Sequence, residues 1–192
     1  MASAIPSVHH DRVTGVDWRA LLYAVAASLA LAVVMTLGDF AWAALHIHHR
    51  TAYGIVHGAA MCLCIGIAIG VRVKRPVPAV IAGPLIGVAA AGTYYLLASP
   101  LKWVAMFPAW MLLWILFALL QKLLTTRERI GVALKRGILA ALLSGFAFYL
   151  ISDIWIHEAR HPGMLVHFGA WAFAFLPGFA ALFAQLPMAK GR

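Results

Sequence analysis

Six long apolar stretches, separated by short polar or proline-containing turns, constrain this chain more than any other feature. A transmembrane helix needs about 20 consecutive, mostly apolar residues. Only 11% of the residues are charged and the mean hydropathy is +0.92, which is too apolar to be hidden in a soluble core of this size. We therefore predict an all-α integral membrane protein. Its spans are predicted at residues 18–45, 51–71, 77–98, 102–120, 132–156 and 163–186.

The chain divides into three segments around these spans. Residues 1–17 are polar and lack the short apolar region and cleavage site of a signal peptide, so we expect a cytoplasmic N-terminal segment. Residues 18–187 form a single six-helix transmembrane domain. Residues 188–192 form a cytoplasmic tail.

The distribution of Lys and Arg predicts the orientation of the spans. Twelve of the 15 basic residues fall on one side of the predicted membrane and three on the other. Cytoplasmic loops collect Lys and Arg, so both termini are predicted to be cytoplasmic, in a multi-pass protein of the inner (plasma) membrane. The three residues on the outer side are Arg50, Lys102 and Arg160.

The formal net charge of +9 does not indicate nucleic acid in a protein of this class. The basic residues between Lys122 and Arg136 are interleaved with Leu, Ile and Val, which is typical of a segment lying on anionic headgroups, where each basic residue contributes about 1 kcal/mol. The expected partners are the bilayer and the anionic lipids of the cytoplasmic face. A homo-oligomer and a larger membrane complex both remain open.

The second span carries glycines four residues apart, as in Gly54-x-x-x-Gly58 and Gly66-x-x-x-Gly70. Small residues at this spacing let two helices approach closely. We therefore expect this span to pack tightly against a neighbour.

The outer side is poor in Lys and Arg but rich in histidine. Seven of the nine histidines lie in the hairpin of helices 1–2 or in the hairpin of helices 5–6. The two hairpins resemble each other, since Asp39 and His57 in the first correspond to Asp153 and His167 in the second. This similarity predicts an internal repeat related by a pseudo-twofold axis along the membrane normal.

The four repeated groups form the core of a candidate site. Asp39 and Asp153 are the carboxylates within the spans. Counting about 1.5 Å per helical residue, each lies at the same depth as the histidine of its own hairpin, His57 or His167. An ionisable group at that depth costs a few kcal/mol unless it is paired or faces water. We therefore expect Asp–His pairs converging on an outward-facing cavity.

Carboxylate and imidazole ligands together suit a divalent transition metal such as zinc, iron or copper. Haem ligation by His57 and His167 is not excluded. Chains of intramembrane Asp and His are also typical of proton pathways. The predicted function is to bind, sense or translocate a metal cation or proton at the outer face. The candidate metal ligands are Asp39, His46, His49, His57, Asp153, His157, His161 and His167.

Two alternatives remain open. The segment from His157 to His161 reads His-Glu-Ala-Arg-His, the H-E-x-x-H pattern of zinc hydrolases, in which Glu158 is the catalytic residue that activates water. Pro162, directly after the second histidine, ends the helix and weighs against a metal-dependent hydrolase or oxidase. In the other alternative, the Asp–His pairs only stabilise the helices, and the chain is a structural subunit of a larger membrane complex.

Overall fold

The computed structural model describes residues 17–46, 49–125, 128–156 and 163–183, without the side chains of residues 50, 103 and 152–156. Six α-helices lie within these ranges, and all six are long and apolar enough to cross a membrane. The prediction of six long apolar helices is confirmed, and their length and composition suit a polytopic membrane protein. The helices are α1 (Trp18–Ala44), α2 (Arg50–Arg72), α3 (Pro76–Leu101), α4 (Met106–Thr125), α5 (Ile130–Ile156) and α6 (Met164–Phe183).

Helix boundaries follow local chemistry at the start of α1 and depart from expectation at the end of α3. Asp17 caps α1, since its carboxylate accepts the backbone N–H of Arg19 at 3.1 Å and of Ala20 at 3.2 Å. Residues 99–101 were predicted to turn, but α3 continues through Pro100, because one lost backbone donor is tolerated in a membrane helix. The turn comes at Lys102, whose φ is 52°, followed by a 3-10 turn to Ala105.

The six helices form a closed ring. Each helix packs against its neighbours in the chain, and α6 closes the ring by packing against α1. The contact between α2 and α3 is the most extensive, and the contact between α1 and α2 is the smallest of the six. In the first hairpin, α1 packs more extensively on α6 than on its partner α2, whereas α5 and α6 of the second hairpin pack extensively on each other. The two hairpins that we predicted to be equivalent therefore pack differently. The internal repeat and the orientation of the termini stay predictions.

Glycines set the close approach of α2 and α3. A Cβ atom on Gly87 would lie 2.2 Å from the backbone oxygen of Gly58, and one on Gly66 would lie 2.5 Å from the backbone oxygen of Ala79. Backbone atoms on both sides leave no room for a side chain. The tight packing expected of the second span is therefore present, with α3 as its partner.

One end of the ring is filled by large side chains. Trp114, Phe179 and Phe183 are fully buried there, at the end where α1 begins and where α4 and α6 end. Arg136 was expected on the lipid headgroups, but it is 1% exposed and its Nη2 lies 2.7 Å from Glu128 Oε2. The predicted span 132–156 already contained Arg136, and the physical reason for its burial is that this part of α5 packs on α4, with Gly137 against Ile115 and Ala118.

Candidate functional site

The other end of the ring holds a cluster of polar side chains around Asp39. Asp39 lies near the end of α1, while Tyr53 and His57 lie in the first turns of α2, and His167 and Trp171 in the first turns of α6. Residues four positions apart share a helix face. Tyr53 and His57 therefore reach Asp39 from one side, and His167 and Trp171 reach it from the other.

Each carboxylate oxygen of Asp39 is paired twice. Oδ1 accepts a short hydrogen bond from the Tyr53 hydroxyl and lies 3.0 Å from Nδ1 of His57. Oδ2 lies 2.6 Å from Nε2 of His167 and accepts the indole N–H of Trp171 at 3.0 Å. A carboxylate offers about four acceptor positions. The hydrogen-bonding capacity of Asp39 is therefore filled by groups from two other helices.

These contacts fix how the two imidazoles are oriented. An ionised carboxylate only accepts hydrogen bonds, so His57 presents Nδ1–H and His167 presents Nε2–H to Asp39. The Nε2 atom of His57, on the far side of its ring, is then an acceptor. The side chains of Asp39, His57 and His167 are 12%, 16% and 9% exposed, respectively. The cluster is thus shielded from solvent while His57 keeps a nitrogen that can take up a proton or a hydrogen bond.

The cluster forms part of the wall of a large cavity inside the ring. The cavity volume is about 780 Å³, and all six helices contribute to its lining. No Lys or Arg lies among the lining residues that the structure describes, so Asp39 and the two histidines carry the charge of the site. The lining also includes Phe40, Trp42, Ala43, Tyr53, Gly54, Gly58, Met61, Gly87, Ala90, Ala91, Tyr94, Tyr95, Met106, Ala109, Trp110, Leu113, Phe148 and Trp171.

Two opposite walls of the cavity differ in character. Trp110 stacks on Phe148 with the ring centroids 4.8 Å apart, and Phe148 contacts Trp171 at 6.2 Å. These rings of α4, α5 and α6 form an aromatic wall. The helices across the ring, α2 and α3, contribute small residues, of which Gly58 and Ala91 are examples. The cavity is therefore a slot between these rings and a wall in which glycine and alanine are mixed with Met61, Tyr94 and Tyr95.

Three of the four core residues of the predicted site meet. The expected contact between Asp39 and His57 is present. His167, which we paired with Asp153 of its own hairpin, binds Asp39 of the other hairpin. The side chain of Asp153 lies outside the described residues. Whether any of these residues binds a metal stays a prediction.

The other candidate ligands lie at the turns. His46 is exposed, with a φ of 54° and with its Nδ1 2.9 Å from the backbone oxygen of Ala44. His49 is exposed just before α2. His157, Glu158 and His161 lie outside the described residues, and so does the whole H-E-x-x-H segment.

No group of three or more His, Cys, Asp and Glu side chains is arranged to hold a metal ion in the part of the chain that the structure describes. The geometry of the cluster explains this result. His57 and His167 each direct a ring nitrogen at an oxygen of Asp39. Donors and acceptors therefore face each other and do not converge on a common point, as metal ligands must.

Sequence reasoning missed Tyr53 and Trp171. Both are amphipathic aromatic residues with a polar N–H or O–H group that needs a partner when buried. Tyr53 lies four residues before His57, and Trp171 lies four residues after His167. The helical spacing was a signal that could have placed both of them in the cluster.

Comparisons with known proteins identify no relative of this chain. No protein-family model matches the chain. No curated protein and no solved structure matches it either.

Proposed function

We propose that this protein binds a proton at the imidazoles of His57 and His167, with Asp39 as their counter-ion. The observation that supports the proposal is a single carboxylate held by two imidazoles from two different helices. Both imidazoles line a cavity within a membrane bundle. Of the two ions predicted from the sequence, the proton fits this arrangement better than a metal cation.

Charge balance favours proton uptake on the histidine pair. With both imidazoles neutral, the cluster carries the single negative charge of Asp39 among apolar side chains. An isolated charge at this depth is costly. One proton on His57 or His167 makes the cluster neutral and places an imidazolium beside a carboxylate. On His57 this proton enters at Nε2, because Nδ1 already carries the hydrogen donated to Asp39.

We further propose that the cluster faces the outer side of the inner (plasma) membrane, with both termini in the cytoplasm. The support is the distribution of Lys and Arg, twelve against three. The cluster and its cavity lie at the end of the ring where α1 joins α2 and where α5 joins α6. In this orientation, the cavity takes up protons from the outside.

The proposal is tested by nitrogen NMR of histidine-labelled protein in nanodiscs, recorded as the pH is lowered. We expect one imidazolium to form in the cluster, and we expect Asp39→Asn to remove it from the pH range seen in the wild type, because the counter-ion is lost. Asp17→Asn is the matched control. Asp17 is the capping residue of α1, and Asn is also a good cap, so this variant should titrate like the wild type.

One outcome of this titration would contradict the proposal. The same histidine titration in wild type and Asp39→Asn would mean that the carboxylate has no role in proton binding. His46→Gln supplies a second control, because His46 is exposed at the turn and outside the cluster. Its loss should remove one histidine signal and leave the cluster signals in place.

A metal cation is the second candidate. A carboxylate that orients an imidazole is the usual outer shell of a metal-ligating histidine, and Asp39 orients His57 in this way. Mass spectrometry of purified protein, together with an absorption spectrum for haem, distinguishes the two candidates. Stoichiometric zinc, iron, copper or haem that disappears in the Asp39→Ala/Asp153→Ala double variant would replace the proton proposal with a metal site. Catalysis by Glu158 would then merit a Glu158→Gln variant.

A further inference from the structure

We infer that the cavity binds a neutral, flat, ring-containing apolar molecule with ring oxygens, that is, a molecule of the quinone class. This inference goes beyond the proposed proton site, because it concerns the cavity and not only the Asp39 cluster. It depends on the size of the cavity, on the difference between its walls and on the position of His57.

The size of the cavity matches a small-molecule site. Its volume of about 780 Å³ falls within the range of about 300–1,000 Å³ that is typical of ligand pockets. Close packing is the normal state of a protein interior, and this chain achieves it at the opposite end of the same bundle. The space is therefore a feature of this end of the ring and not of the whole protein.

The walls favour a flat molecule. Trp110, Phe148 and Trp171 form the aromatic wall and present ring surface to the cavity. On the other side, α3 contributes the small residues Ala90 and Ala91 together with the rings of Tyr94 and Tyr95. A ring of the ligand would lie between these surfaces, and an apolar tail would extend along the remaining apolar lining.

The polar groups favour a neutral ligand with an oxygen on its ring. The described lining has no Lys or Arg to neutralise an acidic ligand. The oxygens of Asp39 are occupied by four donors, so they do not offer a ready site for an amine. His57 remains, with Nε2 on the side of the ring away from Asp39. A ligand oxygen would meet this nitrogen.

His57 can serve both forms of such a ligand, in a step that relies on the proposed proton site. The neutral imidazole accepts a hydrogen bond from a ring hydroxyl, as in a quinol. The imidazolium donates one to a ring carbonyl, as in a quinone.

Decylubiquinone is a suitable probe, added to the full chain in nanodiscs and followed by quenching of tryptophan fluorescence. We expect saturable quenching, because Trp42, Trp110 and Trp171 line the cavity. Ala91→Phe, which fills the slot, should weaken binding by at least about tenfold, the equivalent of one lost hydrogen bond or ring contact. Ala89→Phe on the same helix is exposed and outside the lining, so it should bind like the wild type.

A matched ligand without ring oxygens distinguishes recognition of those oxygens from nonspecific hydrophobic binding. Decylbenzene has a ring and the same tail but no oxygen, and it should not displace decylubiquinone. Equal competition by decylbenzene, or equal binding by Ala91→Phe and Ala89→Phe, would overturn the inference. Ala43→Phe, at an exposed position of the lining, gives a second blocked variant if Ala91→Phe does not fold.

The histidine titration of the same samples keeps the two proposals apart. Wild-type protein that titrates as proposed but does not bind decylubiquinone would overturn only the ligand inference. Saturable binding in a protein whose histidines titrate independently of Asp39 would overturn only the proton proposal.

Discussion

The two ends of the six-helix ring use buried side chains in opposite ways. At the closed end, Trp114, Phe179 and Phe183 are fully buried and fill the space between the helices. At the cavity end, comparable aromatic residues such as Trp42 and Tyr94 surround about 780 Å³ of space. The same helices run through both ends, but the side chains that they turn inward differ: they fill the space at one end and border a cavity at the other.

The polar groups of the two ends differ as well. At the closed end, both side-chain atoms of Gln121 and two of the guanidinium nitrogens of Arg136 have no hydrogen-bond partner among the described residues. At the cavity end, Asp39 is bound by four donors. A fully satisfied network fixes the positions of its members. The polar groups beside the cavity therefore form a satisfied network around Asp39.

The largest expected effect concerns the packed end. Phe179→Ala should lower the free energy of unfolding by about 3–5 kcal/mol, because a fully buried ring is lost and a void remains. Met106→Ala at the cavity should cost about 1 kcal/mol, because Met106 already borders open space. Unfolding in mixed micelles measures both values. If Phe179→Ala and Met106→Ala lowered the free energy of unfolding equally, the cavity would have to be closed in the protein in micelles.

An intermediate effect is expected at two glycines of α6. A Cβ atom on Gly178 would lie 2.2 Å from the ring of Trp114, whereas one on Gly169 would have no atom within 4 Å. Gly178→Ala should therefore destabilise by about 1–3 kcal/mol through overpacking. Gly169→Ala should be neutral or stabilise by up to about 1 kcal/mol through helix propensity. Thermal unfolding of the two variants should show shifts of opposite direction, and a shared direction would contradict the packing at Trp114.

The smallest effect concerns single donors at the cavity. Tyr53→Phe removes one of the four hydrogen bonds to Asp39 and should cost about 1 kcal/mol. Tyr94 lines the same cavity and makes an edge contact with Tyr95 that Tyr94→Phe retains, so this variant should change stability by less than about 0.5 kcal/mol. Indistinguishable variants would mean that the Tyr53 hydroxyl does not contribute to the cluster.

Some of the site follows from spacing along the chain. Asp39 and His57 lie at similar distances from the turn that joins α1 and α2, and helical rise alone places them at the same depth. The meeting of His167 with Asp39 does not follow in this way. His167 was at the correct depth, but its neighbour depends on which helices close the ring, and spacing contains no information about that choice.

The sequence by itself determined the membrane bundle, its six spans, the close packing of the glycine-rich second helix and the depth of the Asp and His residues. These features depend on hydropathy, helical rise and small-residue spacing, which are local properties. Only the tertiary structure decided that α6 packs against α1, that Asp39 binds residues from α2 and α6 at once, that Arg136 is buried and that a cavity remains at one end. These depend on contacts between helices distant in sequence, where the volume and shape of facing side chains set the outcome.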